Sequence, residues 1–253
     1  MRIRHRIFAV FLVTALVGTA GCGEKGSMDL ESQETSEKAY VMEHVQQIEP
    51  SRIVQEESQA PQAVQLDVPE LLQKPELPTG CESVALTMAL MYEGYDLEKT
   101  TIADEYLVYS EDGDFTRGYV GDPKSRQGAG CFPPTIVETA NSYLSEQGAG
   151  KVAEDVTGTD FDVLLEKYLA EGIPVILWHT MYMSEPEFTE EIYERNGITY
   201  PWYSQEHCVV LSGYDMEQNT VTVNDPLEGI IERDMNAFQE LFEQTGKFAV
   251  VIK

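Results

Sequence analysis

Apolar positions recur at a helical period through the middle of this chain and run together or alternate toward its end. Val64-Gln65-Leu66-Asp67-Val68 alternates and predicts a first strand. From Thr79 the pattern becomes helical, with Val84, Ala85, Met88, Ala89 and Tyr92 on one stripe and Gly94 as a stop. Thr79 and Glu82 read as a capping box, with Thr79 as N-cap. Further helices are predicted over residues 98–107, 134–146 and 160–170. The last has Thr159 as N-cap, a stripe of Phe161, Leu164, Leu165 and Tyr168, and Gly172 as stop. Strands are predicted beyond Gly172 at 174–178, 208–214, 220–224, 229–232 and 248–252, with a helix over 235–244 before the last. A turn at Glu217-Gln218-Asn219 makes a hairpin of the second and third of these. Helices first and strands later predict an α+β domain, a helical lobe packed on an antiparallel sheet with a cleft between them.

Two long connections interrupt this order. Residues 109–134 are rich in Gly, Asp and Pro and read as one wall of the cleft. Residues 181–205 are acidic and aromatic, with Tyr182, Tyr193, Tyr200, Trp202 and Tyr203. They either cover the cleft or pack on their own aromatic rings.

The pattern before residue 64 is of another kind. Residues 1–22 combine a basic start (Arg2, Arg4, Arg6), an apolar run from Ile7 to Val17, and small residues up to Cys22, the three parts of a secretory signal. Thr19-Ala20-Gly21-Cys22 resembles a bacterial lipobox, which makes Cys22 the lipidated first residue of a mature, extracytoplasmic lipoprotein; ordinary signal cleavage is the alternative. Residues 23–63 are rich in Glu, Gln and Ser without a sustained period, and read as an acidic, disordered tether. The folded domain is expected over 64–253.

Composition narrows the function. The 253-residue chain carries 44 acidic against 17 basic residues, a formal charge of −27, so binding to nucleic acid would face repulsion over most of the surface. The cysteines and histidines show no zinc-type spacing, and neither a metal nor a cofactor is implied.

The candidate chemistry starts at Cys81, in the first turn of the predicted helix. Unpaired N–H groups and the positive end of the helix dipole favour a thiolate there, and the same donors can receive an oxyanion. The bland alternative is a small buried hydrophobe on an apolar stripe. Of four histidines, His5 lies in the signal and His44 in the tether. His207 stands at the mouth of a hydrophobic strand, and the hairpin partner of that strand ends in Asp225, which antiparallel pairing brings near it. His179 is the second candidate base, with a structural role at a strand end as its competing reading. Gln73, eight residues before Cys81, can fold back as an oxyanion donor or remain an exposed loop residue.

Cysteine, histidine and aspartate in this order form the thiol version of a nucleophile, base and orienter triad. The quoted stretches are Gln73 with Pro75-Glu76-Leu77-Pro78-Thr79-Gly80-Cys81-Glu82, Gly121-Asp122-Pro123, Gly172-Ile173-Pro174-Val175, His207 with Gly213-Tyr214-Asp215, and Asn224-Asp225-Pro226. In this order they resemble the papain-fold cysteine peptidases related to the bacteriocin leader-processing family, family thirty-nine, and its stand-alone "39-like" branch in bacterial secreted proteins and lipoproteins. The resemblance implies a papain-like fold, with Cys81 as nucleophile, His207 as base, Asp225 as orienting acid, Gln73 as oxyanion donor, and a peptide or protein as substrate.

A thiol acyltransferase would use the same triad with an amine in place of water. A non-catalytic module would hold a peptide or cell-envelope fragment in the cleft and need not keep Cys81 activated. With Cys22 lipidated, Cys81, Cys131 and Cys208 remain. A Cys131–Cys208 disulfide beside one free nucleophile is one arrangement and three separate thiols the other. Strand alternation places Cys208 on the face opposite His207.

Overall fold

The structure is a computed structural model that describes residues 60–253. The expected signal with Cys22, and the tether with His44 up to residue 59, lie outside the described residues. Among the described residues, nine strands and four α-helices follow in the order β1 (Ala63–Gln65), α1 (Cys81–Tyr92), α2 (Pro133–Glu146), β2 (Ala153–Asp155), α3 (Phe161–Lys167), β3 (Val175–Thr180), β4 (Glu187–Arg195), β5 (Ile198–Ser204), β6 (Glu206–Asp215), β7 (Thr220–Asp225), β8 (Gly229–Asp234), α4 (Met235–Thr245) and β9 (Ala249–Ile252).

Seven strands form one antiparallel sheet in the order β2-β9-β3-β6-β7-β8, with β1 pairing the far end of β6. β6 is its spine. Its Glu206–Leu211 half pairs with β3, and Val210–Asp215 pairs with β7 across a bulge between Leu211 and Gly213. Helices cover both faces rather than the single face expected. Ile176, Trp178, Cys208, Val210 and Val250 pack with α1 and α2, while Val175, Leu177, Val209, Leu211 and Val251 pack with α3 and α4. Strands buried on both sides explain why β3, β6 and β9 are continuous apolar runs rather than alternating ones.

Helix α1 departs from the amphipathic reading, because all residues from Cys81 to Leu90 are buried. Its polar members are satisfied internally. Ser83 Oγ donates to the Gly80 carbonyl at 2.9 Å and Thr87 Oγ1 to the Ser83 carbonyl at 2.8 Å. The capping box is not formed either: the N-cap is Gly80 and no side chain caps the helix. Thr79 Oγ1 donates instead to the Ser125 carbonyl at 2.9 Å, and Glu82 is drawn into the interior. Asp160, not Thr159, is the N-cap of α3, because the Thr159 hydroxyl turns back to the Val156 carbonyl. Residues 98–107 supply only a π-helical turn, Ile102–Tyr106.

The largest difference is in residues 181–205, where a separate two-stranded hairpin forms from β4 and β5. Its turn is Asn196-Gly197, both with positive φ (54° and 81°), the combination that a tight hairpin favours. The hairpin docks through aromatic rings on the 109–134 connection: Trp202 stacks on Phe115 at 3.9 Å and Tyr200 meets Phe132 at 5.1 Å. Its opposite side is acidic and exposed, with Phe188 and Ile192 standing out from it.

His179 lies in β3, directly opposite His207 in the ladder, but its ring stacks on Phe238 of α4 at 4.3 Å and its Nε2 faces the Phe238 carbonyl at 3.1 Å. Burial lowers its pKa from 6.5 to about 4, so the ring is neutral in the fold and takes up a proton more readily when unfolded. This stabilisation is complete above pH 6.5 and is lost as pH falls toward 4, at about 1.4 kcal/mol per pH unit. Urea unfolding between pH 7 and 4.5 should therefore show an acid limb that His179→Gln flattens by about one proton. Parallel limbs in the two proteins would refute this assignment.

Candidate active site

The site begins with the absence of a cap on α1. With Gly80 at the N-cap, Cys81 is the first helical residue, and no N-cap side chain takes a donor of the first turn. Little space is left at the N-cap, where a β-carbon on Gly80 would meet Leu77, Ser83 and Pro123 at 3.0–3.2 Å.

Strand β6 brings the next three residues. Glu206, His207 and Cys208 are consecutive, so they alternate between the faces of the sheet. Cys208 belongs with α1 and Cys131, as its neighbour Val210 does, and Glu206 shares that side. His207 shares the parity of Val209 and Leu211. Because β7 pairs only from Val210 onward, the start of β6 has no neighbour on that side, and the His207 ring borders the cleft. Its Nε2 makes a 2.7 Å bond with Asp225 Oδ1, both groups being nearly fully buried. Asp225 Oδ1 also accepts the Leu227 N–H at 2.7 Å. Burial alone would raise the Asp225 pKa, but the hydrogen bond and charge of His207 outweigh it and hold the carboxyl below its usual range.

Gln73 is held beside this pair. Its N–H donates to the Pro226 carbonyl at 2.8 Å, and Asn224 Nδ2 donates to the Val68 carbonyl at 2.8 Å, which stitches the 66–78 connection to the end of β7. The Gln73 side chain is buried, donates from Nε2 to the Pro78 carbonyl at 2.9 Å, and leaves Oε1 without a partner. Gln73, Cys81 and His207 all line one cleft of about 180 Å³, together with Gly128, Ala129 and Glu206. Tyr182, exposed and with positive φ, lies at its edge. The aromatic connection thus reaches the cleft through Tyr182, while Tyr200 and Trp202 pack inward.

Two residues to which the sequence reading gave no place in the site change the electrostatics of this cleft. Glu82 and Glu206 are both buried, and the Cys81 thiol donates to Glu82 Oε2 at 3.3 Å; no hydrogen bond joins Cys81 to His207. Glu82 Oε1 accepts the Cys131 N–H at 2.7 Å. Gly130, with φ +143°, passes against both carboxyls, and a β-carbon there would lie 2.7 Å from Glu82 Oε1 and 2.8 Å from Glu206 Oε2. Burial raises the Glu82 pKa to about 7. Burial also holds Glu206 well above the usual carboxylate range, with Glu82 adding to the effect.

These surroundings overturn the expected low thiol pKa. Burial first, then the charges of Glu82 and Glu206, push Cys81 up; the Cys208 N–H acts in the opposite direction without reversing the balance. The signal for Glu82 was its place beside Cys81, and for Glu206 its place one residue before His207. Assigning Glu82 to a cap hid the first, and nothing local marked the second as buried.

His179, held against α4, is not among the cleft residues. Cys131 and Cys208, for which a disulfide was one of two expectations, are both free and buried.

The sequence profile of the peptidase C39-like family matches residues 65–250. YvpB of Bacillus subtilis, itself uncharacterised, is 34% identical over 187 residues, covering 71% of each chain. A Bacillus anthracis protein whose crystal structure carries a provisional C39-like peptidase name is 30% identical. The match has a TM-score of 0.64 and covers 76% of this chain and 98% of that one.

Alkylation of Cys81 by iodoacetamide should be slow at pH 7.5. Glu82→Gln, which removes one of the charges opposing the thiolate, should accelerate it several-fold. An unchanged rate in a folded variant would mean that the carboxyl does not control the thiol.

Proposed function

The chain belongs to the peptidase C39-like family and has the papain-like α+β fold of cysteine peptidases, and from this premise we propose that it is a thiol peptidase acting through Cys81, His207, Asp225 and Gln73. The observation that carries the reading is the bordering of one cleft by the uncapped first residue of α1 and a histidine whose far nitrogen is bonded to a buried aspartate. A peptide carbonyl in the cleft is attacked by Cys81 Sγ as His207 takes the thiol proton through its free Nδ1. The resulting oxyanion is held by the first-turn N–H groups of α1 and by the Gln73 amide. His207 then protonates the leaving amine, and water, deprotonated by the same ring, releases the acyl-enzyme. Asp225 fixes the ring orientation throughout.

The resting position of the sulfur shapes this mechanism. Cys81 gives its hydrogen bond to Glu82, so the proton must pass to His207 during attack rather than beforehand. The same observation favours a second reading, a module that binds peptides in the cleft without turning them over. An acyltransferase would differ from the peptidase only in its acceptor. Lipidation at Cys22 would hold the domain at the outer face of a cell membrane, a proposal that rests on Thr19-Ala20-Gly21-Cys22.

Incubation with a library of extended peptides, read by mass spectrometry for new termini, tests the reading. Cys81→Ala should abolish cleavage, His207→Ala should lower it by about 10³-fold or more, and Gln73→Ala by about 10²-fold, mainly in kcat. Cleavage that persists in Cys81→Ala would refute the nucleophile. Peptide binding without cleavage by the unmodified chain would establish the module instead. Metabolic labelling with an alkyne fatty acid should mark the unmodified chain and not Cys22→Ser; equal labelling would overturn the lipoprotein proposal.

A further inference from the structure

Cys81, Glu82 and Glu206 each offer a ligand atom, and these atoms lie within 4.8 Å of one another although the third residue is more than a hundred positions from the others in sequence. Their arrangement is that of a partial coordination sphere. Cys81 Sγ and Glu82 Oε2 are 3.3 Å apart, close to the edge of about 3.6 Å that ordinary zinc–sulfur and zinc–oxygen bonds span in a tetrahedron. Glu82 is oriented from behind by the Cys131 N–H on its other oxygen, as metal-binding carboxylates commonly are. Glu206, only 6% exposed, supplies the independent sign: its Oε1 is buried and has no hydrogen-bond partner. Such an atom is costly unless something fills its valence. No lysine, arginine or histidine among the described residues pairs with either carboxyl. Cys81 and Glu206 both line the cleft, which gives an ion a route in and leaves its fourth position to water.

We propose that Cys81 Sγ, one oxygen of Glu82 and one oxygen of Glu206 form a binding site for a single divalent cation of the zinc class. One soft sulfur among two carboxylate oxygens selects zinc or cobalt over calcium and magnesium, which take all-oxygen shells. On binding, the Cys81 S–H bond breaks, the protons held by Glu82 and Glu206 leave with the thiol proton to solvent, and one sulfur–metal and two oxygen–metal bonds form, so that no other co-reactant is required. The ion does not depend on Cys81 being a nucleophile. If Cys81 is one, occupation blocks the sulfur and the cation is a reversible inhibitor.

The test uses the full-length chain without a polyhistidine tag and follows cobalt(II) by absorption in the absence of any peptide, so its failure is distinct from failure of the peptidase reading. One equivalent of cobalt(II) should give a thiolate-to-metal charge-transfer band that one equivalent of zinc(II) removes and excess calcium does not. Cys81→Ser should abolish the band, and Glu206→Gln should weaken binding at least about tenfold. Glu82→Gln, which keeps the Cys131 hydrogen bond through its amide oxygen, serves as a second ligand variant should Glu206→Gln lose its far-ultraviolet dichroism. The absence of a band, a band surviving in Cys81→Ser, or unchanged affinity in the folded glutamate variants would overturn the proposal.

Discussion

The site depends on the two-sided pairing of β6 and on its ending unevenly. Held by β3 along one edge and by β7 only from Val210, the strand fixes its backbone while leaving its first residues open on one side. Strand alternation then sorts three consecutive side chains. Glu206 and Cys208 go to the α1 side, and His207 goes to Asp225. A slip of one residue in the β3–β6 register would exchange these sides and place the imidazole against Glu82. The ladder that stabilises the core therefore also sets the chemistry of the cleft.

Helix α1 supplies the opposing half by being buried where a helix usually meets water. Because Ser83 and Thr87 return their hydroxyls to its own carbonyls, the helix can pass through the domain with no polar face. The consequence for Cys81 is mixed. Its position at an uncapped helix start favours negative charge, yet the same burial, with two carboxyls close by, opposes it. Burial and the carboxyls prevail. The thiol rests in its neutral form, and any activation belongs to the step in which a ligand enters.

Local signals and antiparallel geometry made much of this legible. The hairpin turn near Asn219 fixes the approach of Asp225 to His207, and the glycine stops and apolar runs delimit most elements of the main sheet. What escaped the sequence reading depended on long-range burial. A capping box at Thr79 and Glu82 is locally sound, but Tyr119, Ser125 and Cys131, distant in sequence, take the Thr79 and Glu82 groups into other bonds. Helices on both faces of the sheet were implied by strands with no polar alternation. The Asn196-Gly197 turn of the second hairpin was visible but masked by the acidic composition around it.

The placement of Glu82 and Glu206 is the feature with most bearing on function. Two carboxyls buried against a thiol, with Gly130 the one residue type whose backbone can pass between and beside them, are a standing electrostatic cost. A domain that needed only to pack would not require a carboxyl at either position, since glutamine at 82 would keep the acceptor for the Cys131 N–H without a charge. Protons on the carboxyls relieve part of the cost, but the unpartnered oxygen of Glu206 remains. Of the two, Glu206 lines the cleft, where a positively charged group or a hydrogen-bond donor would relieve this cost on entering. The same two carboxyls oppose the Cys81 thiolate, so the cost of burying them and the resting state of the sulfur have one origin.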